Sequence, residues 1–414
     1  MPWKENLVMD QKKEFVLESL KENINFTKLC AKYCISTKTG YKWKERFLER
    51  GFEGLNDLSK RPKISPQKLS EETILEIIRI KNNKKHWGSR KIRVIYANLH
   101  PGKNVPSCRT IDRILHKAGL IKPKKIRRKT SGIRIENRVP AMHPNHIWTV
   151  DFKGWWYTTS KERVNPLTVR DEFSKYILSI KALDKGDIFC VYNEFDILFK
   201  LYGLPEIIRS DNGPPFANMN SSLGLTKLSV WWMALGIKLD RIEPGSPYQN
   251  GAHERMHLDM KKELEGQIDG DIRYHQKIFE EWRKEFNEER PHETLQMKTP
   301  STKYKKSDID YEPGLIEFEY PKNYKSRNVN NRGFLNYKGK RYFVGNPFNG
   351  YNVGIYVDKN GQLNVWFGNN LLGYFDNETL LLIPEKNDIF KPRKKRKVLP
   401  MSVGWTGHWF FFVF

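Results

Sequence analysis

The interval at which apolar residues recur changes twice along this chain, and no single layered architecture satisfies all three patterns. Up to about residue 120 the pattern is helical: Phe15, Val16 and Leu20, then Phe26 to Tyr33, then Thr37 to Arg50. Ser36 is placed to cap the third run and Gly51 to stop it. A second set repeats the scheme, with Ser70 before Glu71 to Asn82, then Ser89 to Leu99, then Ser107 before Cys108 to Ala118. From Trp148 onward, short strand-like runs (148–153, 166–169, 176–182, 205–209) alternate with helical ones at 187–202 and 225–235. A long helix is expected to open near His253. From Glu317 the runs alternate residue by residue, with turns at Lys338-Gly339, Asn349-Gly350 and Asn360-Gly361. The expected fold is therefore multidomain: helical modules, an α/β layer domain and a small C-terminal β-barrel.

Charge divides along the same lines. Residues 1–150 carry a formal +20, residues 151–300 carry −3 and residues 301–414 carry +8, out of a total of +25. Basic ends around a slightly acidic middle suit a protein that neutralises phosphates with its flanks and keeps carboxylates for other work. Four cysteines in 414 residues exclude a disulfide scaffold. No apolar run reaches the roughly 18–20 residues of a membrane span. In each trihelical set the last helix is basic: Lys38, Lys42 and Arg46 in the first, Arg109, Arg113 and Lys117 in the second. That is the pattern of a helix-turn-helix whose second helix enters a DNA groove, with Tyr41, Trp43 and Phe47 expected on its inner face. Lys124, Lys125, Arg127 and Arg128 crowd a linker that can track a phosphate backbone.

Three carboxylates of the middle third fall at element ends. Asp151 lies on the first strand, Asp211 just after the fourth, and Glu254 at a helix start behind a Pro/Gly loop. Asn212 and Gly213 permit close backbone approach at Asp211. Sixty positions separate the first two acids and 43 the last two.

The stretches W-T-V-D-F-K-G (148–154), R-S-D-N-G-P-P-F (209–216) and P-G-S-P-Y-Q-N-G-A-H-E-R-M-H (244–257) resemble the three acidic motifs of insertion-sequence DDE transposases. F-N-E-E-R-P-H-E-T-L (286–295) resembles the stretch that closes their core. C-I-S-T-K-T-G-Y-K-W (34–43), G-L-N-D-L-S-K-R-P (54–62) and H-W-G-S-R-K-I (86–92) resemble their tandem helix-turn-helix region. The resemblance runs from Met1 to about Glu385 and implies a ribonuclease-H-like core, similar to that of retroviral integrase. It implies two Mg²⁺ or Mn²⁺ ions, with Asp151 bridging both and Asp211 and Glu254 each completing one side. The reaction it implies is cleavage and transfer of DNA strands. In that reading Asn250 and Gly251 shape the loop before Glu254, and Lys153, Arg255, Lys261 and Lys262 meet DNA phosphates. Asp171 is structural, and the interval before Glu254 holds an insertion around Asn218 to Thr226.

The domains expected are helix-turn-helix modules at 1–60 and 66–120, a basic linker at 121–140, the catalytic core at 141–308 and a small β domain at 315–385. A basic, then apolar tail follows at 386–414, with Lys391 to Val398 read as a phosphate-binding stretch and the apolar end as a frameshifted or read-through edge. Expected partners are double-stranded DNA, at element ends and target, and further copies of the chain in a synaptic complex. No membrane is expected, and the place of action is the nucleoid of a prokaryotic cytoplasm. Two readings compete: a catalytically silent DNA-binding regulator, and a zinc metallopeptidase through His253-Glu254-Arg255-Met256-His257, which matches H-E-x-x-H.

Overall fold

The computed structural model describes residues 8–58, 69–122, 139–218, 221, 223–242, 251–266 and 268–385. The chain divides into two units, Met1–Glu71 and Glu72–Phe414. In the first, α1 (Val8–Ser19), α2 (Phe26–Lys32) and α3 (Thr37–Arg50) enclose Phe15, Val16, Leu29, Cys30, Trp43 and Leu55. The Ser36 hydroxyl accepts from the Thr39 N–H at the start of α3, as the capping pattern requires. A Cβ at Gly40 would stand 2.6 Å from the Cys30 sulfur, so only glycine lets α3 approach α2 this closely. Tyr41 does not pack inward as expected; it is exposed and stacks its ring on Phe26 at 4.3 Å.

The second unit opens with α4 (Glu71–Asn83), α5 (Ser89–Leu99) and α6 (Cys108–Lys117) around Ile77, Ile80, Trp87, Ile92, Tyr96, Ile111 and Leu115. Ser107 caps α6. A mixed sheet follows, built from β1 (Ile147–Phe152), β2 (Trp156–Tyr157), β3 (Arg163–Asp171) and β4 (Ile177–Leu183). Then come α7 (Ile188–Tyr202), β5 (Ile207–Ser210), α8 (Lys227–Ala234), β6 (Lys238–Arg241), α9 (Gly251–Glu263) and α10 (Ile272–Glu288). Strands run β4-β3-β1-β5-β6, with β2 on the start of β3; β1, β5 and β6 are parallel and the other pairs antiparallel.

Alternation along β1 sends Trp148 and Val150 toward α7 and α8, where they pack with Phe195, Phe199 and Trp232. Thr149 and Asp151 therefore face the side covered by α9 and α10. There Met256, Met260, Phe279, Trp282 and Phe286 pack on Val164 and Ile180.

The C-terminal part comprises β7 (Lys325–Asn328), β8 (Phe334–Tyr337), β9 (Lys340–Phe343), β10 (Asn352–Val357), β11 (Leu363–Phe367), β12 (Asn370–Phe375) and β13 (Leu382–Pro384). Among the described residues it is an open sheet, β13-β12-β11-β10-β7, with the hairpin β8–β9 beside it, and not the closed barrel expected. The edge strands are three and four residues long; the hairpin has one isolated bridge to the sheet, Phe343 to Leu381, and packs Leu335, Tyr337 and Tyr342 into the shared core. The expected insertion has a structural role: Leu223 and Leu225 are buried with Val230 and Met233 against this sheet. No helix among the described residues is long and apolar enough to cross a membrane.

Arg290 joins the helical module of this unit to α9 and α10. Only 1% of its side chain is exposed. Its guanidinium donates to Asp259 (3.3 Å) and Glu263 of α9, lies 3.9 Å from Glu285 of α10, and faces the rings of Trp87, Trp282 and Phe286. Lys84 pairs with Glu285 and Glu289 beside it, and Arg90 with Glu293. Removing one partner of such a buried network leaves uncompensated charge. We therefore expect Arg290→Ala to destabilise this unit by about 3–5 kcal/mol in chemical denaturation. A loss below about 1 kcal/mol would mean that the carboxylates are solvated without it.

Candidate active site

Asp151 ends the parallel part of the sheet. The parallel register of β1 and β5 pairs Ile147 with Ile207, Trp148 with Ile208 and Thr149 with Arg209. Asp151 lies two residues beyond the last of these pairs on β1, and Asp211 lies two residues beyond it, just after β5 ends at Ser210. Both carboxylates thus emerge at the carboxyl ends of neighbouring parallel strands. Asp211 accepts from the Gly213 N–H at 3.2 Å. Loss of surrounding water nevertheless holds its carboxyl above the ordinary aspartate range, because burial outweighs that hydrogen bond.

Glu254 is exposed on the first turn of α9, between the buried His253 and the exposed Arg255. The helix is held by its neighbour His253, which is fully buried. His253 shares hydrogen bonds with the hydroxyls of Thr149 (2.8 Å) and Thr168 (2.6 Å) through its two ring nitrogens. His257, one turn on, shares a 2.8 Å bond with the same Thr168 hydroxyl, and its Nδ1 lies 3.9 Å from the Asp151 carboxylate. Thr168 also donates to the Asp151 carbonyl at 2.9 Å, and Arg170 donates to the Ala252 carbonyl at 2.7 Å. Glu254 stands three residues before His257 on α9 and, unlike it, is exposed.

Asp151 and Asp211 thus lie at or just past the ends of neighbouring strands, and Glu254 lies on a helix bonded to the same sheet. Among the described residues, however, no group of three or more His, Cys, Asp or Glu side chains is gathered closely enough to hold a metal ion. The carboxylates of Asp151, Asp211 and Glu254 are hard oxygen donors of the kind a divalent cation takes.

The H-E-x-x-H match is explained by this packing. Both histidines are turned into the sheet and spent on threonine hydroxyls, while Glu254 faces outward. Burial, reinforced by Arg170 and other neighbouring positive charge, drives His253 well below the usual imidazole range and His257 down to about 3. Asp171 is structural: it is fully buried, accepts from the N–H groups of Asn145 (2.8 Å) and Ser174 (2.7 Å), and is raised by burial.

Of the expected DNA contacts, Lys38, Lys42, Arg109, Arg113 and Lys117 are exposed on α3 and α6, and Arg46 is half-buried over Trp43. Arg255, Lys261 and Lys262 are exposed on α9, the first two near Asp259 and Glu265. Lys153 departs from expectation: only 11% of its side chain is exposed, and it donates to Glu265 at 2.9 Å over the Trp156 ring. Asn212 is half-buried, and Gly251 is the first residue of α9. Lys124, Lys125, Arg127, Arg128, Asn250 and the tail at 386–414 lie outside the described residues.

Arg290, Trp87 and the two threonines are the residues that sequence reasoning missed. Arg290 sits inside a quoted motif, but nothing local to Thr149 or Thr168 announces a histidine partner 104 or 85 residues away.

A histidine depressed in the fold but normal when unfolded takes up its proton on unfolding, so its stabilisation is full above about pH 6.5 and is lost as pH falls toward about 3. We expect denaturation midpoints measured in EDTA to fall across that window. His257→Gln should flatten the fall by up to about one proton, or about 1.4 kcal/mol per pH unit. An unchanged slope would show that His257 is not held neutral.

Two family models described as "Integrase core domain" match residues 141–247 and 235–300. A "Homeodomain-like domain" model matches residues 39–115, and a "Helix-turn-helix domain" model residues 11–63. The chain is 27% identical over 240 residues to the "Insertion element IS407 uncharacterized 31.7 kDa protein" of Burkholderia multivorans, covering 57% of this chain and 82% of that one. It is 23% identical over 261 residues to the "Insertion element IS476 uncharacterized 39.2 kDa protein" of Xanthomonas euvesicatoria, covering 61% and 72%. Among solved structures, the HTLV-2 integrase catalytic core domain in complex with magnesium aligns with 40% of this chain and 99% of its own, at 20% identity and a TM-score of 0.31. The simian T-cell lymphotropic virus intasome aligns with 71% and 97%, at 15% identity and a TM-score of 0.35.

Proposed function

The chain is an insertion-sequence transposase, a DDE-type polynucleotidyl transferase with helix-turn-helix modules ahead of an integrase-like core, and on that premise we propose that Asp151, Asp211 and Glu254 carry its chemistry. What supports this assignment is that Asp151 and Asp211 lie at or just past the carboxyl ends of the neighbouring parallel strands β1 and β5, and that Glu254 is on the first turn of α9, whose His253 and His257 bond to Thr149 and Thr168 of the same sheet. In a ribonuclease-H-like core of this kind the three carboxylates would hold two divalent ions, Mg²⁺ or Mn²⁺. Such ions, when bound, supply Lewis acidity for the attacking water or 3′-hydroxyl and for the leaving oxygen.

The chain's own groups do the rest. The neutral His253 and His257 add no positive charge that would compete for the carboxylates, and they fix the helix that carries Glu254. Lys38, Lys42 and Arg46, and Arg109, Arg113 and Lys117, read and hold the terminal repeats, while Arg255, Lys261 and Lys262 meet phosphates nearer the reacting bond. In this reading the segments 1–60, 66–120, 141–308 and 315–385 are the functional parts, with the C-terminal sheet bracing the core. A multimer that synapses two ends on the nucleoid completes this reading.

The test is a strand-transfer assay with labelled element ends and target DNA, with Mg²⁺ or with EDTA. Asp151→Asn, Asp211→Asn and Glu254→Gln should each lower transfer by about a thousandfold or more while end binding persists. Specific end binding by the wild type without any Mg²⁺-dependent transfer would favour the regulator instead. End binding should also weaken steeply with salt, and Arg113→Ala should reduce the log–log slope by about one. A slope unchanged in Arg113→Ala would remove that residue from the phosphate contacts.

A further inference from the structure

Immediately after Asp151 the sheet contains one residue too many. Phe152 pairs with Leu167 and Trp156 with Val164, so four steps on one strand oppose three on the other. The extra residue falls at Lys153 to Trp155, where Gly154 takes a φ of 94°. A bulge of this kind exchanges the faces of everything beyond it. Lys153 and Trp156 therefore share the α10 side, with Trp156 packed on Phe279, while Trp155 and Tyr157 turn outward.

Trp155 is the one exposed tryptophan among the described residues, at 55%, and Tyr157 beside it is 63% exposed. Their rings meet edge to face at 5.4 Å, and the Arg163 guanidinium, paired across the ribbon with Tyr157, lies 4.9 Å over Trp155. Among the described residues neither Arg163 nor the exposed Lys161 at the ribbon tip has an ion pair with a carboxylate.

We propose that this ribbon is a base-stacking surface, on which Trp155 and Tyr157 receive an unpaired nucleobase of the DNA end while Arg163 and Lys161 face its phosphates. The occupant is argued from charge and reach. An exposed aromatic pair carrying two cations matches a polyanion with apolar faces, not an acidic or purely apolar partner. Trp155 is four residues from Asp151 and so at most about 14 Å along the chain, a span of roughly four nucleotide steps. The surface thus falls on bases next to the phosphodiester that Asp151 would act on, and the inference rests on that assignment of the site.

The test uses full-length protein and an element end with 2-aminopurine at each of the terminal positions in turn. Binding should change the fluorescence of one or two positions in the wild type and in Trp155→Phe. Trp155→Ala and Tyr157→Ala should lose that change and lower transfer roughly tenfold, with overall end binding retained through the helix-turn-helix modules. An identical fluorescence response in Trp155→Ala overturns the proposal. So does a Trp155→Ala protein whose mass in solution without DNA differs from the wild type, because the patch would then be covered by a second copy. If wild-type protein fails to transfer at all while the Trp155-dependent response remains, it is the catalytic reading that falls and the stacking surface that stands.

Discussion

The hydroxyl of Thr168 lies where the central sheet meets α9, and the placement of Glu254 depends on it. It donates to the carbonyl of Asp151 and takes hydrogen bonds from both His253 and His257. A hydroxyl has one proton and two lone pairs, so these three bonds exhaust it. Each imidazole then presents its Nε2 proton to Thr168, and the His253 Nδ1 shares a hydrogen bond with the Thr149 hydroxyl, which also lies 3.3 Å from the Arg170 carbonyl. A buried polar group left without its partner costs about 1–3 kcal/mol, so α9 cannot rotate about its axis without breaking several such bonds together. The rotation of the helix is therefore set from inside, and Glu254, next to His253, is left facing out at the strand ends.

Burial also decides the charge of that contact. Two protonated imidazoles beside Arg170 would repel one another, whereas neutral ones bond to threonines and leave the carboxylates of the site as its net charge. The other end of α9 is held by the opposite strategy, a fully charged cluster in which Arg290 neutralises Asp259, Glu263 and Glu285 against tryptophan faces. The mildly acidic middle third is thus explained chiefly by ion pairs. Glu265, Glu285, Glu289 and Glu293, for example, each face lysine or arginine.

Local signals were legible where the physics is local. The hydroxyls of Ser36 and Ser107 cap the helices they precede, and apolar spacing located the helices of both trihelical modules and most strands of the core. The bulge after Asp151 was not legible, because one extra residue in G-W-W-Y shows only once the opposing strand fixes the register. Nor was the position of Lys153, whose partner Glu265 lies 112 residues away. The H-E-x-x-H match misleads for a related reason: spacing puts two histidines on one helix face, but whether that face meets a metal or a threonine is decided by strands elsewhere in the chain. Barrel closure failed as an expectation because alternation specifies faces, not which edge strands are long enough to meet.

Each of the three acids has a buried anchor within a few residues, and each anchor belongs to a different element. Asp151 follows Val150, which is packed beneath α7. Asp211 precedes Phe216, whose ring lies against Phe152 and Trp232, and the chain then buries Leu223 and Leu225 in the C-terminal sheet. Glu254 follows His253. Burial already raises Asp211, and a carboxylate that is to bind a cation, as we propose for these three, stays ionised more readily when it is not desolvated. Its position must be borrowed from an apolar or neutral neighbour. The C-terminal sheet therefore has a role in the core even before any contact with DNA: through Leu223 and Leu225 it fixes the far end of the segment that begins at Asp211.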